Sequence, residues 1–310
     1  MIKTILIYVV SLIAFIAVLN FTVFNITPPN NTFLKGLELK HKRALRIQSP
    51  KIIINGGSNL AFGINSPLIE KELNLPVCNL GIMAGLGFEY MIEQAKFYAK
   101  DGDVVILVPE YFLYSTPESD PKGGVLLSAA SIFPFGIQFM KEDLPFLNFQ
   151  YKSQSALKRL LLAKTDGEEN STGVYNASAF NEYGDIYIHD DTLFDRNIFD
   201  NYTTPLEKDV ISDADYDDFE NLLKETKEYF DIRNIKLYVS FPPTPNTDKR
   251  KDLDGLAMGI FGKCGIALLG TPNDFRYGYD DFYNGLNHLN FKGAIKRSKL
   301  LSEFLILEKE

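Results

Sequence analysis

Short apolar runs alternate along this chain with longer stretches in which apolar residues recur every three or four positions. The short runs predict buried strands, and they lie at 51–55, 76–80, 104–109, 235–241 and 266–269. The longer stretches predict amphipathic helices, and strands that alternate with helices are typical of a parallel sheet covered on both faces. We therefore predict an α/β fold over residues 51–310, a three-layer flavodoxin-like sandwich with a parallel five-stranded sheet.

Local signals mark the helices between these strands. Ser66 followed by Pro67 predicts an N-cap and a first helical residue. Further helices are predicted over 87–100, from Ser212 as cap to about 230, and from about 291 to 307.

The alternation breaks down at about 111–211, which we interpret as an irregular insert in the domain. Its apolar stretch at 124–140 allows two interpretations, the packed core of a lid or subdomain, or a surface that meets a membrane or a membrane partner. Pro134 and the short length argue against a membrane span there. A further helix is predicted at 153–164.

The N-terminal segment 4–24 contains no charged residue. At about 1.5 Å rise per residue, a helix of this length reaches roughly 30 Å, the thickness of the hydrocarbon core of a bilayer. A cleaved signal peptide would have a shorter apolar stretch and an exit site rich in small residues. We therefore predict an uncleaved single-pass anchor, followed at 25–50 by a polar linker and a basic connector.

Composition limits the functions that remain. With 45% hydrophobic residues among 310, the chain can bury a large core. Its net charge of -8 argues against binding of nucleic acid through a broad basic surface. Two cysteines form no zinc or redox motif, and no glycine-rich phosphate loop is present. The run "IHDD" at 188–191 has metal-binding side chains, but adjacent residues rarely converge on one ion. We predict no nucleic-acid partner, no metal and no cofactor.

The stretch "IIINGGSN" places Ser58 just after the first predicted strand. In a doubly wound sheet, ligands gather at the carboxyl ends of the strands, and two glycines permit the turn that brings a side chain to that edge. On this stretch alone, a serine that only satisfies a turn or caps a helix is the favoured interpretation. The chain has three histidines, and the topology returns one of them, His288, to the same edge, where it could serve Ser58 as a base.

Three blocks carry a resemblance to a known family, "NGGSNLAFGINSPLIEKELNLPVCNLGIMAGLG", "GDVVILVPEYF" and "NHLNFKGA". Together they resemble the SGNH (GDSL-like) hydrolase superfamily. Among its branches they are similar to the membrane-anchored teichoic acid D-alanyl transfer and alginate O-acetylation proteins. The resemblance covers residues 51–112 and 235–307, and the insert matches no family block.

The resemblance implies roles for individual residues. Ser58 matches the nucleophile of the family and His288 its general base. Asn79, Gly81 and Gly85 lie where the family draws a backbone donor for its oxyanion hole, and the backbone N–H of Ser58 would be a second donor.

Two departures from the family pattern concern the groups around this pair. The usual aspartate three residues before the histidine is Gly285 here, so Asp281 is our candidate to orient the imidazole, with Asp280 or the neutral Asn284 as alternatives. The usual oxyanion asparagine after the third strand is replaced in this region by Glu110.

An ionised Glu110 has the wrong charge to stabilise an oxyanion. It would therefore be turned away, protonated by burial, or paired with a cation such as Lys122 or Lys292.

The resemblance implies a membrane-anchored acyltransferase or esterase that acts on acyl esters of a cell-surface polysaccharide or lipid-linked glycan. A separate multi-spanning acyltransferase would be its partner, and the domain would lie outside the cytoplasm. A positive-inside count opposes this orientation, because five lysines and arginines follow the apolar segment within 35–46. The alternative is a non-catalytic scaffold or carbohydrate-binding protein with the same fold.

Overall fold

A parallel sheet forms the centre of the computed structural model, which describes residues 2–24, 32–114, 124–140, 174–187, 213–247 and 251–308. Its strands are β1 (Ile52–Gly56), β2 (Val77–Asn79), β3 (Val104–Val108), β4 (Lys236–Val239) and β6 (Ala267–Leu268), in the order β2-β1-β3-β4-β6. The short strands β5 (Thr244–Pro245) and β7 (Arg276–Tyr277) pair beside it, and β8 (Phe282–Gly285) pairs with β9 (His288–Leu289) in an antiparallel hairpin. The predicted α/β fold with a parallel five-stranded sheet is confirmed.

The helices complete a three-layer arrangement. Their bounds are α1 (Ile2–Phe24), α2 (Gly36–Arg46), α3 (Ser58–Ala61), α4 (Ser66–Leu73), α5 (Phe88–Tyr98), α6 (Gly124–Ile132), α7 (Asp213–Asp231), α8 (Lys251–Lys263) and α9 (Phe291–Leu307). On one face of the sheet, α5, α7 and α8 share an aromatic core, in which Phe219 lies 5.6 Å from Phe88 and 6.3 Å from Phe261 between ring centroids. On the other face α4 and α9 contact each other, and Ser298 Oγ accepts a hydrogen bond from the Asn65 amide at 2.8 Å.

The order of the central strands explains their sequence. The three isoleucines of β1 have exposures of 1% or less, because β1 is a central strand of a sheet that helices cover on both faces. A strand covered on both faces has no solvent side, so its sequence is continuously apolar and does not alternate.

The start of α4 differs from the prediction. The cap is Asn65, whose side-chain oxygen accepts a hydrogen bond from the Leu68 amide at 3.0 Å. Ser66, the predicted cap, is the first residue of the helix, and its hydroxyl donates to Asp185 at 2.7 Å. The sequence could not show this, because Asp185 is distant along the chain.

The N-terminal apolar segment is helical in α1. Many of its large apolar side chains are exposed, among them Ile5, Leu6, Ile7, Val10, Leu12, Ile13 and Phe15. Within the described ranges, however, no helix combines the length and the apolar character that crossing a bilayer requires, and the predicted transmembrane helix at 4–24 is not confirmed.

The predicted basic connector is part of the folded domain. Residues Phe33–Lys35 form a 3-10 turn, and α2 follows directly. Leu37 and Lys40 of α2 are fully buried, and Lys40 Nζ donates to the Asn79 carbonyl at 3.0 Å and also to the Gly184 carbonyl. Burial lowers the pKa of Lys40 to about 8, against the opposing effect of the nearby Asp185 carboxylate.

The described part of the insert contains the apolar stretch at 124–140. In it, α6 and the 3-10 helix Pro134–Phe139 pack on the domain, and Phe139 contacts Tyr90 of α5 at 5.5 Å between ring centroids. Phe133 and Phe139 are buried, so this stretch contributes to a packed core against α5 of the domain. The predicted helix at 153–164 and the run at 188–191 lie outside the described residues.

Candidate active site

Ser58 lies at the carboxyl edge of the sheet, where β1 ends and the short helix α3 begins. An added Cβ at Gly57 between them would lie 2.2 Å from Glu110 Oε1, so a side chain there would require the Glu110 carboxyl group to move. The Ser58 carbonyl accepts a hydrogen bond from the Phe62 amide at 3.0 Å, so the backbone of the serine is held by the helix that follows it. As the first residue of that helix, Ser58 has a backbone N–H without an intrahelical acceptor.

His288 reaches the same edge on the hairpin that precedes α9. In this hairpin Gly285 of β8 lies opposite His288 of β9. His288 Nε2 lies 2.9 Å from Ser58 Oγ, a normal hydrogen-bond distance. Both residues are partly exposed. The structure thus brings together the two side chains that the sequence analysis singled out, at a position that a ligand can reach.

The other imidazole nitrogen faces Asn284. His288 Nδ1 lies 2.8 Å from Asn284 Oδ1, and an amide oxygen only accepts hydrogen bonds. Nδ1 therefore carries the proton, and Nε2 is left to accept the proton of the Ser58 hydroxyl. The result is a continuous chain from Ser58 through His288 to Asn284.

Asp281, our candidate for orienting the imidazole, is engaged elsewhere. Its carboxylate is buried and accepts hydrogen bonds from Lys296 Nζ at 2.8 and 2.7 Å, and Lys292 Nζ lies 3.7 Å away. Asp281 closes the 3-10 turn before β8 and is bound by the first turns of α9. The position at Nδ1 is filled instead by Asn284, which the sequence analysis held as the neutral alternative.

An aromatic ring fixes the plane of the imidazole. Phe62 stacks on His288 with 4.3 Å between ring centroids and an interplanar angle of 14°. Phe62 itself is fully buried, one helical turn after Ser58. The sequence offered no signal for this role, since an apolar residue four positions after a serine usually belongs to the core.

The predicted oxyanion residues at the end of β2 have structural contacts. Asn79 Oδ1 accepts a hydrogen bond from the Gly81 amide at 3.0 Å, so the predicted donor at Gly81 is already used. Asn79 Nδ2 donates to the Leu60 carbonyl at 3.0 Å and to Asp185 at 2.9 Å. Asn79 therefore ties β2 to α3 and is fully buried.

Gly81 lies beside Gly57, the residue before the nucleophile, whereas Gly85 lies beside Val125 of α6. An added Cβ at Gly81 would lie 2.5 Å from Leu60 Cβ and 2.8 Å from the Gly57 carbonyl oxygen, so Gly81 permits the close approach of two backbones. Gly85 lies in the 3-10 turn Ala84–Leu86, with Val125 as its neighbour at 3.1 Å from an added Cβ.

Glu110 is buried beneath the nucleophile. It is 5% exposed, and its Oε1 accepts a long hydrogen bond from the Asn59 amide at 3.4 Å. Among the described residues, its Oε2 has no hydrogen-bond partner. Burial raises the pKa of Glu110 above its ordinary value, which agrees with protonation by burial. Of the two cations proposed for it, Lys292 lies beside Asp281, and Lys122 lies outside the described residues.

A buried arginine braces this region and was missed by the sequence analysis. Arg297 is fully buried in α9 and donates to the Asn59 carbonyl at 2.8 Å, to Asn59 Oδ1 at 3.0 Å and to the Phe241 carbonyl at 3.1 Å. Burial lowers the pKa of its guanidinium to about 10, against the effects of Tyr277 and Glu110. Lysines and arginines in an amphipathic helix normally face solvent, so the pattern gave no sign of this contact.

Comparison of this chain with known protein families and with curated proteins finds no match.

Proposed function

We propose that this protein catalyses serine-dependent acyl transfer or ester hydrolysis. The observation that carries the proposal is the hydrogen-bonded chain in which His288 Nε2 lies 2.9 Å from Ser58 Oγ and His288 Nδ1 lies 2.8 Å from Asn284 Oδ1. A serine nucleophile needs a base within hydrogen-bond reach and a third group that orients the base, and these contacts supply both.

In the proposed reaction, Ser58 Oγ attacks the acyl carbonyl carbon while His288 Nε2 takes the hydroxyl proton. The tetrahedral intermediate collapses when His288 returns this proton to the leaving alkoxide, and the acyl group stays on Ser58 as an ester. An acceptor hydroxyl or water then attacks the ester, again with His288 as base. The acyl group leaves on the acceptor or as a free acid, and Ser58 regains its proton.

The N–H of Ser58 is the best candidate to stabilise the oxyanion. It stands at the start of α3 without an intrahelical acceptor, close to the carbon that Ser58 attacks. A donor of this kind is worth about 3 kcal/mol of transition-state stabilisation. The Gly81 amide is held by Asn79 and would have to leave that contact to act as a second donor.

The substrate and setting rest on the family resemblance. We propose an acyl ester of a cell-surface polysaccharide or lipid-linked glycan as substrate, with a multi-spanning membrane acyltransferase as partner. The exposed apolar side chains of α1 support association of the chain with a cell membrane. The placement of the domain on the extracytoplasmic side rests on the family resemblance alone.

The same site supports a second candidate, a non-catalytic scaffold or carbohydrate-binding protein. The observations that favour it are the neutral Asn284 at the imidazole, the occupied Gly81 amide and the buried acid Glu110 near the nucleophile. Each would weaken catalysis, and none of them prevents binding.

Release of p-nitrophenol from p-nitrophenyl acetate by the full chain distinguishes the two candidates. An enzyme should hydrolyse the ester, and Ser58→Ala should abolish the activity. Ser49→Ala is the matched control, because Ser49 precedes β1 at the opposite edge of the sheet. Equal hydrolysis by the wild-type protein and Ser58→Ala would overturn the catalytic proposal and leave the scaffold.

A further inference from the structure

The side chain of Asn284 has a second contact, on the side away from His288. Asn284 is exposed, and its Nδ2 donates a hydrogen bond to the Tyr175 hydroxyl at 2.8 Å. The chain of hydrogen bonds that begins at Ser58 therefore does not end at Asn284. It continues to a residue of the insert, more than a hundred positions away in sequence.

Tyr175 belongs to residues 174–187, which we call the strap. The strap is attached to the helix that carries the nucleophile, because the Ile186 amide donates to the Ala61 carbonyl of α3 at 2.8 Å. Its buried Asp185 accepts hydrogen bonds from the amide and the hydroxyl of Ser66 at 2.7 Å each. The strap is thus fixed to the same part of the domain as Ser58.

The ring of Tyr175 is also held in place. It lies 5.6 Å from Phe33 and 5.7 Å from Phe62 between ring centroids. Phe62 is the ring that stacks on His288, so one aromatic cluster supports both the imidazole and the tyrosine. Burial raises the pKa of the Tyr175 hydroxyl above its ordinary value, so the phenol stays protonated at neutral pH.

We propose that Tyr175 is a positioning residue, which holds Asn284 so that its amide oxygen stays on His288 Nδ1. This inference rests on the proposed function of the Ser58 site. It assigns to the insert a part of the site that neither the motifs nor the family resemblance indicates.

The chemistry of the amide explains why it needs a tether. Only one of its two ends accepts a hydrogen bond, and an exposed asparagine has several rotamers in which that end leaves the imidazole. Tyr175 restrains the other end. A carboxylate at 284 would need this help less, because both of its ends accept and its charge attracts the imidazolium wherever the tyrosine lies.

The rate of labelling of Ser58 by a fluorophosphonate probe tests the inference in the full-length protein. Tyr175→Phe should lower the maximal labelling rate about fivefold, the equivalent of one ordinary hydrogen bond, without changing the probe concentration that gives half of that rate. In an Asn284→Asp background, the same substitution should slow labelling by less than about twofold. Tyr187→Phe, in the same strap, is the matched control and should leave the rate unchanged.

Three results would overturn the inference. If Tyr175→Phe did not change the labelling rate, or lowered it equally in both backgrounds, the tyrosine would not act through the amide. A change only in the half-saturating concentration would make Tyr175 a binding residue. These failures differ from failure of the proposed function, in which the wild-type protein is not labelled or Ser58→Ala is labelled equally well.

Discussion

At the scale of single residues, the site differs from an ordinary serine triad at the group behind the histidine. Position 285, where the SGNH pattern has its aspartate, faces the imidazole edge, and an added Cβ there would lie only 3.1 Å from His288 Nδ1. In this hairpin, the side chain that contacts Nδ1 is that of the preceding residue, Asn284. An amide fixes the tautomer of the histidine but adds no charge to stabilise the imidazolium.

Substitution of Asn284 should therefore change the rate in a graded way. Asn284→Leu removes the acceptor and should slow hydrolysis of p-nitrophenyl acetate about tenfold, whereas Asn284→Asp should be at least as fast as the wild-type protein. Asp280→Ala should have no effect, because the contact seen at Asp280 is through its backbone carbonyl, which accepts a hydrogen bond from Asn290. A wild-type rate in Asn284→Leu would remove Asn284 from the site.

Glu110 should make stability depend on pH. Because its pKa is raised on folding, the folded protein binds this proton more tightly than the unfolded chain does, and stability is lost as pH rises above the unfolded value of 4.5. Glu110→Gln removes this titration and can keep the contact with the Asn59 amide. In urea denaturation, the free energy of unfolding of Glu110→Gln minus that of the wild-type protein should increase as pH rises above 4.5. A difference that is constant with pH would contradict burial of an ionisable Glu110.

At the scale of secondary-structure elements, α2 and the strap pack as a layer against β2. The sequence analysis assigned α2 to a linker and connector, and the strap to an irregular insert. Lys40 of α2 is fully buried and donates to the carbonyls of Asn79 and Gly184, so one side chain joins all three segments. Gly184 of the strap has a positive φ of 91°, and an added Cβ would lie 2.9 Å from Lys40 Nζ, so both backbone conformation and space require glycine here.

Replacement of Lys40 should destabilise this layer. Lys40→Met leaves two buried carbonyl groups without their donor, which costs about 1–3 kcal/mol for each. The pKa of Lys40 is about 8 in the folded protein and 10.5 in its ordinary state. Between these values the unfolded chain binds more protons, so wild-type stability should rise with pH relative to Lys40→Met. Urea denaturation from pH 7 to 10 measures both effects, and equal stability at all these pH values would contradict them.

At the scale of the whole molecule, the sequence predicted those features that depend on one periodic pattern. Continuous apolar runs such as that of β1 gave the five strands, and the doubly wound topology gathered Ser58 and His288 at one edge. The last helix was predicted with its observed bounds, although its buried face includes Arg297, Ser298 and Ser302 among the apolar residues.

The remaining parts of the site depend on contacts that no pattern encodes. Asn284 reaches His288 through the pairing of a short hairpin, and its register is set by tertiary packing. Arg297 and Lys40 are buried cations that donate to backbone carbonyls of other segments, and Arg297 donates also to Asn59 Oδ1. Tyr175 comes from the insert, where the sequence has no periodic pattern.

The proposed association with a membrane concerns the whole chain. If α1 inserts its apolar side chains into a bilayer, the double substitution Leu6→Lys and Ile13→Lys should move the protein from the membrane fraction to the soluble fraction. A lysine costs up to about 3 kcal/mol in an apolar helix inside a bilayer, and most at the centre of the helix. Ile232→Lys is the control, because Ile232 is 72% exposed on the domain. A wild-type protein in the soluble fraction, or a double variant that stays with the membranes, would contradict the proposal.

The site of covalent attachment of a fluorophosphonate, mapped by peptide mass spectrometry of the full-length protein, tests the central claim most directly. The distance of 2.9 Å between His288 Nε2 and Ser58 Oγ predicts a single modified residue, Ser58, and a rate of modification that falls at least about a hundredfold in His288→Ala. Modification at any other residue, or modification of Ser58 at an unchanged rate without the imidazole, would show that this pair is not a catalytic unit.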